Sequence, residues 1–114
     1  MENALFALPI QSGKTGAARS FLTELEGQRK AEYSASERRL GISKEVWAVQ
    51  ETPSGDLFVV FFQGNNIGGA IQQFVESRDA FDQWFKGQVK ETTGVDLNVP
   101  PPGPLSDILS VYEA

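Results

Sequence analysis

One β-hairpin in the middle of the chain constrains the fold more than any other stretch. Its first arm, Val46-Trp47-Ala48-Val49-Gln50-Glu51, carries β-branched and aromatic residues. Its second, Leu57-Phe58-Val59-Val60-Phe61-Phe62-Gln63, is the most apolar run in the sequence. Between them Thr52-Pro53-Ser54-Gly55-Asp56 supplies Pro where φ of about −65° is wanted and Gly where φ turns positive. Residues of strand type lie on both sides of this turn. At a period of two, Leu57, Val59 and Phe61 share one face of the second arm, and Phe58, Val60 and Phe62 share the other. Both faces are apolar, whereas a sheet covered on one side only alternates apolar with polar residues. Continuous apolarity predicts a cover for each face.

The rest of the chain supplies one cover. Asn3–Ile10 reads as a first strand, with Ala4, Phe6, Leu8 and Ile10 on one face and Leu5 and Ala7 on the other. Pro9 has no N–H to give a ladder, so it marks a strand end or a sheet edge. A long helix is predicted over Thr15–Leu40, with Ser12 or Thr15 as its cap and Gly41 as its stop. Its apolar stripe holds Ala18, Phe21, Leu22, Leu25, Tyr33 and Leu40, but after Leu25 the centre of that stripe is taken by Arg29, Glu32 and Ser36. Such a helix spans nearly ~40 Å, against ~23 Å for the Leu57–Gln63 strand. It must overhang the sheet or bend, and Gly27 is the place for a bend. Asn66 then caps a helix whose Ile67, Ala70, Ile71, Phe74 and Val75 fall on one face. Ser77-Arg78-Asp79 interrupts it, and Phe81, Trp84, Phe85 and Gln88 carry it on to a stop at Thr93-Gly94. Val99–Pro104 is a stiff, extended connector, and Ser106–Tyr112 alternates weakly as a final strand.

This order predicts a single α+β domain over 1–114 of ferredoxin-like βαββαβ type, a four-stranded antiparallel sheet with both helical blocks on one face. The other face of Leu57–Phe62 is left bare, and a patch of Phe and Val this size is a solubility hazard on a monomer. A homodimer with its two sheets face to face, ~10 Å apart, is the expected second cover.

Composition excludes several classes of chemistry. A chain of 114 residues buries roughly two-thirds of its unfolded surface, enough for a core without staples. There is no Cys and no His, which removes disulfides, thiolate and imidazole metal sites and the commonest general base. Neither a metal nor a cofactor is expected. The net charge is −5, and no basic run offers nucleic acid a footprint. No apolar run approaches the ~18 residues of a membrane span, and the N-terminus lacks a basic-then-apolar signal segment. These absences point to a soluble, cytoplasmic protein of bacterial type.

Two glycine motifs reduce to structure. Gly13-Lys14-Thr15 has the end of a phosphate-binding loop, but Leu8 stands where the full pattern needs Gly. Gly64, Gly68 and Gly69 fit no phosphate fingerprint. Among carboxylates, Asp79 with Asp82 and Glu24 with Glu26 read as solvated faces, while Glu45 and Glu51 flank the hairpin within reach of a cleft. The strongest candidates are Arg29, Glu32 and Tyr33, polar residues that interrupt the helical stripe. Trp47, Trp84 and Phe85 are the large aromatics available to line a cleft between that helix and the sheet. The competing reading is an exposed ion pair on an overhanging helix end, with the aromatics as core.

With the βαββαβ order, the apolar hairpin and the inferred dimer, the chain resembles the dimeric α+β barrel superfamily, which includes antibiotic-biosynthesis-type monooxygenases. More narrowly, Leu8-Pro9-Ile10, Gly13-Lys14-Thr15, Arg29-Lys30-Ala31-Glu32-Tyr33 and Arg38-Arg39-Leu40-Gly41-Ile42 resemble an uncharacterised bacterial family of that fold. So do Asp82-Gln83-Trp84-Phe85 and Gly94-Val95-Asp96-Leu97. The resemblance implies the fold and the dimer and no reaction. Haem-degrading relatives use a His, which this chain lacks. Three readings follow. A binding module would hold a small apolar or aromatic molecule, with Arg29 fixing an anionic group. A cofactor-independent enzyme, monooxygenase- or isomerase-like, would use Glu32 or Tyr33 as acid and base. A regulatory or structural dimer would have no pocket.

Overall fold

In the structure, a computed structural model describing residues 1–101, 103 and 105–114, three strands are formed. They are β1 (Glu2–Pro9), β2 (Ile42–Gln50) and β3 (Leu57–Gly64), antiparallel in the order β1-β3-β2. The apolar second arm of the hairpin is thus the central strand. Its register sets Phe6 and Trp47 on either side of Val60, and Leu8 and Val49 on either side of Phe58. This row of side chains faces the helices. Phe58 and Val60 are fully buried and Phe62 nearly so. The alternate row, Leu5, Val46 and Val59, is 36, 44 and 37 % exposed, with Phe61 half-buried beside it. The α+β class holds, and the helical side of the sheet is fixed.

The helical layer has four members: α1 (Thr15–Glu26), α2 (Lys30–Leu40), α3 (Ile67–Glu76) and α4 (Ala80–Thr93). The predicted long helix is broken at Gly27-Gln28-Arg29. Glu24 O accepts from both Gly27 N (3.2 Å) and Arg29 N (2.9 Å), which closes α1, and Arg29 O starts α2 by accepting from Tyr33 N at 2.9 Å. Gly27 is the bend, because a Cβ there would press on Thr23 O at 3.2 Å. Gly41, at φ 76°, ends α2 in the left-handed conformation that favours glycine. Neither Ser12 nor Thr15 caps α1, which follows Lys14 without a side-chain cap. The Thr15 hydroxyl donates instead to Asp56 Oδ2 at 2.6 Å, tying the helix start to the hairpin turn. Asn66 caps α3 by accepting from Gly69 N, and Asp79 caps α4 by accepting from Phe81 N and Asp82 N.

Phe21 is the hub between the layers. Fully buried on α1, it meets Trp47 and Phe58 of the sheet and Trp84 and Phe85 of α4 edge-on, at centroid distances of 5.1–6.2 Å. Edge-to-face packing of this kind adds roughly 0.5–1.5 kcal/mol per pair beyond area burial.

Among the described residues the fourth strand is absent. Ser106–Tyr112 has no regular structure, and of the four-stranded βαββαβ sheet three strands are present there. The weak alternation buries little: Leu109 and Tyr112 are 92 and 90 % exposed. A strand without a covered face gains too little to offset the entropy of ordering it. Ser106 N does donate to Leu5 O of β1 at 3.1 Å. In the proline-rich connector, Pro102 and Pro104 lie outside the described residues.

The two rows of β3 differ sharply in burial, so adjacent substitutions should differ sharply in cost. Val60→Asp places an unpaired charge in the core and is expected to cost about 3–5 kcal/mol or to abolish cooperative unfolding. Val59→Asp, one residue away, should leave a folded chain. Urea titrations followed by near-ultraviolet circular dichroism decide between them, and equal losses would overturn the assignment of the faces.

Candidate functional site

α2 begins in a new phase after the break, and this decides what faces the sheet. Tyr33, Ser36, Glu37 and Leu40 now form its inner stripe at i, i+3, i+4 and i+7. Three of these four are polar. A cavity of about 760 Å³ lies between α2, α3, α4 and the helical face of the sheet, and this stripe faces it. Val95–Pro101, Gly103, Leu105 and Ser106 run along its mouth. Its walls are mostly aromatic and aliphatic, with Phe6, Trp47, Phe62, Phe74 and Phe85 the large members.

The polar end of this space is made of acids. Glu45, inward on β2, accepts from Tyr33 Oη at 2.7 Å and from Trp47 Nε1 at 2.9 Å, both at Oε2. Burial raises the Glu45 carboxyl above its ordinary range, and these two bonds partly counter that by favouring its ionised form. Tyr33 is pushed well above the ordinary phenol value by burial and then by the Glu45 carboxylate. Glu37 stands one turn beyond Tyr33, and its buried Oε2 has no hydrogen-bond partner among the described residues. Burial, then the charges of Glu45 and Asp82, push Glu37 up to about 9. At neutral pH Glu37 therefore keeps its proton, whereas Glu45 has two donors that favour its ionised form against the effect of burial.

A second polar cluster holds the helices around the cavity. Asp82 on α4 is fully buried, contrary to its reading as a solvated residue. It accepts from Ser36 Oγ (2.6 Å), Arg39 Nη1 (2.8 Å) and Ser77 Oγ (2.6 Å). Burial would raise its carboxyl, but the bonds from Arg39, Ser36 and Ser77 outweigh that and hold it below its ordinary range. Lys86, 2 % exposed, donates to Val75 O, Ser77 O and Asn98 Oδ1 and so ties the α3–α4 corner to the cavity mouth.

The six residues singled out from the sequence separate into two groups. Tyr33, Trp47 and Phe85 line the cavity together. Arg29, Glu32 and Trp84 are not among its lining residues. Arg29 lies over the Trp84 ring at 4.1 Å and pairs with Glu24 at 3.5 Å and Glu32 at 3.3 Å, buckling the corner between α1 and α2. Glu37 was missed because the helical phase was carried unbroken from α1 through Gly27. Restarting it at Lys30 would have found it. Among the described residues no group of three His, Cys, Asp or Glu is placed to hold a metal, and no helix is long and apolar enough to cross a membrane. Compared with family models, curated proteins and solved structures, the chain matches none.

The proton on Glu37 has a sign that can be tested. In the unfolded chain this carboxyl ionises above its ordinary 4.5, while in the folded chain it stays protonated to about 9. The folded state holds the extra proton between those limits, so this contribution to stability is full below pH 4.5, declines through the window and levels off above about 9. Glu37→Gln removes the titration. Its urea midpoint is expected to pull ahead of the native chain's from pH 5 to 9, with a gain of about 1–3 kcal/mol at pH 8. A gap that stays constant with pH would show that Glu37 is ionised in the fold.

Proposed function

We propose that the protein is a binding module that takes a small, largely apolar or aromatic organic molecule into the cavity between α2, α3, α4 and the sheet. The observation that carries this reading is the space itself. About 760 Å³ walled by aromatic rings, with a few polar groups converging at one end, is the size and make-up of a small-molecule site. A core without that purpose closes to crystal-like density.

The probe is 4-phenylbutan-1-ol, and the readout is Trp47 fluorescence in a Trp84→Phe background. Trp47 lines the cavity and Trp84 does not. Saturable binding is expected. Ala70→Phe, which grows a ring into the cavity from α3, should weaken it at least about tenfold without lowering Tm, because filling a void does not overpack. Undiminished binding in Ala70→Phe would place the ligand elsewhere.

One observation favours a second reading, a cofactor-independent enzyme of monooxygenase or isomerase type. Two neighbouring carboxyl groups, one bonded by Tyr33 and Trp47 and the other without a partner at Oε2, are in different environments, as an acid and base pair requires. Glu37 would supply the proton and Glu45, or Tyr33 through it, would accept one. Ligands recovered chemically changed, with turnover lost in Glu37→Gln, would select this reading.

The open face of the sheet supports a homodimer. Leu5, Val46, Val59 and Phe61 make an apolar surface on the side of the sheet away from the helices. A second copy packed sheet to sheet would cover it. Light scattering at micromolar concentration is expected to give twice 12.5 kDa, and Phe61→Asp a folded monomer. A native chain that scatters as a monomer would refute the dimer and leave the cavity untouched.

A further inference from the structure

Every ionisable group on the cavity wall is an acid. Glu37, Glu45 and Asp96 line it with the phenol of Tyr33, and no Lys or Arg lines it among the described residues. The neighbouring cations are engaged elsewhere. Arg39 is bound by Asp82 and Asp79, Lys86 by two carbonyls and Asn98, and Arg29 lies over Trp84. An anion entering this space would lose its water and meet no cation on the wall among the described residues.

Glu45 has its donors inside the protein, Tyr33 and Trp47. Glu37 Oε2 is buried and has none among the described residues. What is missing at that atom is a hydrogen-bond partner, and a cationic donor would bond it as a carboxylate. The surroundings favour such a donor, because the aromatic rings of Trp47, Phe74, Phe81 and Phe85 line the same space and an aromatic π-face attracts a cation.

We propose that the ligand of this cavity is an apolar primary amine, its ammonium bonded to Glu37 beside Glu45 and its hydrocarbon body lying along the aromatic walls toward the proline-rich mouth. The inference rests on the reading of the cavity as a ligand site and gives that ligand its chemical class. It reverses the polarity expected from Arg29, which would have fixed an anion.

Binding carries a proton balance. Glu37 enters protonated, held so by burial and by Glu45 and Asp82. The titratable groups around it are Tyr33 on α2, Glu45 on β2, Asp82 on α4 and Asp96 at the mouth; the cavity-lining residues of α3, β1 and β3 contribute none. An ammonium bonded to Glu37 replaces the carboxyl proton, which leaves to solvent. Uptake of one amine cation therefore releases one proton at neutral pH, while uptake of an alcohol releases none.

The test uses three probes with one body and different ends: 4-phenylbutylamine, 4-phenylbutan-1-ol and 4-phenylbutanoate. Calorimetry at pH 7 in two buffers of different ionisation enthalpy gives affinity and proton release together. The amine is expected to bind at least about tenfold more tightly than the alcohol, the strength of one charge-assisted hydrogen bond. The carboxylate should be weakest, and only the amine should release close to one proton. Glu37→Gln and Glu37→Met, each checked for a native thermal melt, should bring the amine to within about threefold of the alcohol in the same variant and abolish its proton release. If the alcohol binds in the cavity but the amine has no advantage, or keeps it in both variants, the amine assignment falls and the binding module stands. If none of the three binds, both fall.

Discussion

The buried carboxylate of Asp82 brings α2, the α3–α4 corner and α4 together in the helical layer, because donors from α2 and from the corner meet on it. Ser36 and Arg39 reach it from α2 and Ser77 from the corner, with Asp82 itself in the first turn of α4. A lone buried charge is costly, and here three donors, one of them the Arg39 guanidinium, offset that cost. Polar ties hold a helix at a fixed distance where apolar side chains would draw it in. α1 is joined to the sheet and α4 by the aromatic hub of Phe21; α2 is joined to α4 through Ser36 and Arg39 and to β2 through the bond from Tyr33 to Glu45, and the cavity lies beside these polar ties.

What the cavity holds at its polar end runs against stability. A carboxyl with an unpartnered buried oxygen, facing a second carboxylate, is a group whose removal should strengthen the fold. Local choices that conflict with folding concentrate at functional sites. Tyr33, Glu45 and Trp47, by contrast, form a closed set in which both donors and the shared acceptor are satisfied. One half of the polar end is thus a finished structure and the other half a surface prepared for something else.

Much of this was legible in the sequence, and the failures have physical causes. The hairpin, its central place, the Asn66 cap, the interruption at Ser77–Asp79 and the stops at Gly41 and Gly94 follow from local chemistry: turn geometry, capping and φ preference act within a few residues. Gly27 was read as a bend. What a bend does to helical phase was not, and so Glu37 was overlooked and Glu32, which points outward to Arg29, was chosen in its place. The same error made Arg29 the polar anchor of the cleft, when its ring partner Trp84 holds it at the corner. Asp82 was misjudged because its burial depends on Ser36 and Arg39, more than forty residues away. The expected last strand had alternation but no covered face, and alternation alone does not bury anything.

Strand β3 ties the two surfaces of the molecule together. Val60 and Phe62 face the cavity and Val59 and Phe61 the open side, so neighbouring residues serve opposite faces of one backbone. A partner copy on the open side would leave every cavity wall in place and would stiffen the sheet that forms its floor. Adjustment to a ligand would then fall to the other walls. Of these, α2 is hinged at Gly27 and anchored by Asp82, and the segment along the mouth is bonded to β1 from Ser106 N to Leu5 O and to α4 from Lys86 Nζ to Asn98 Oδ1. Each wall is thus held by ties at its ends, while the polar end is held across α2 and β2 by the bond from Tyr33 to Glu45.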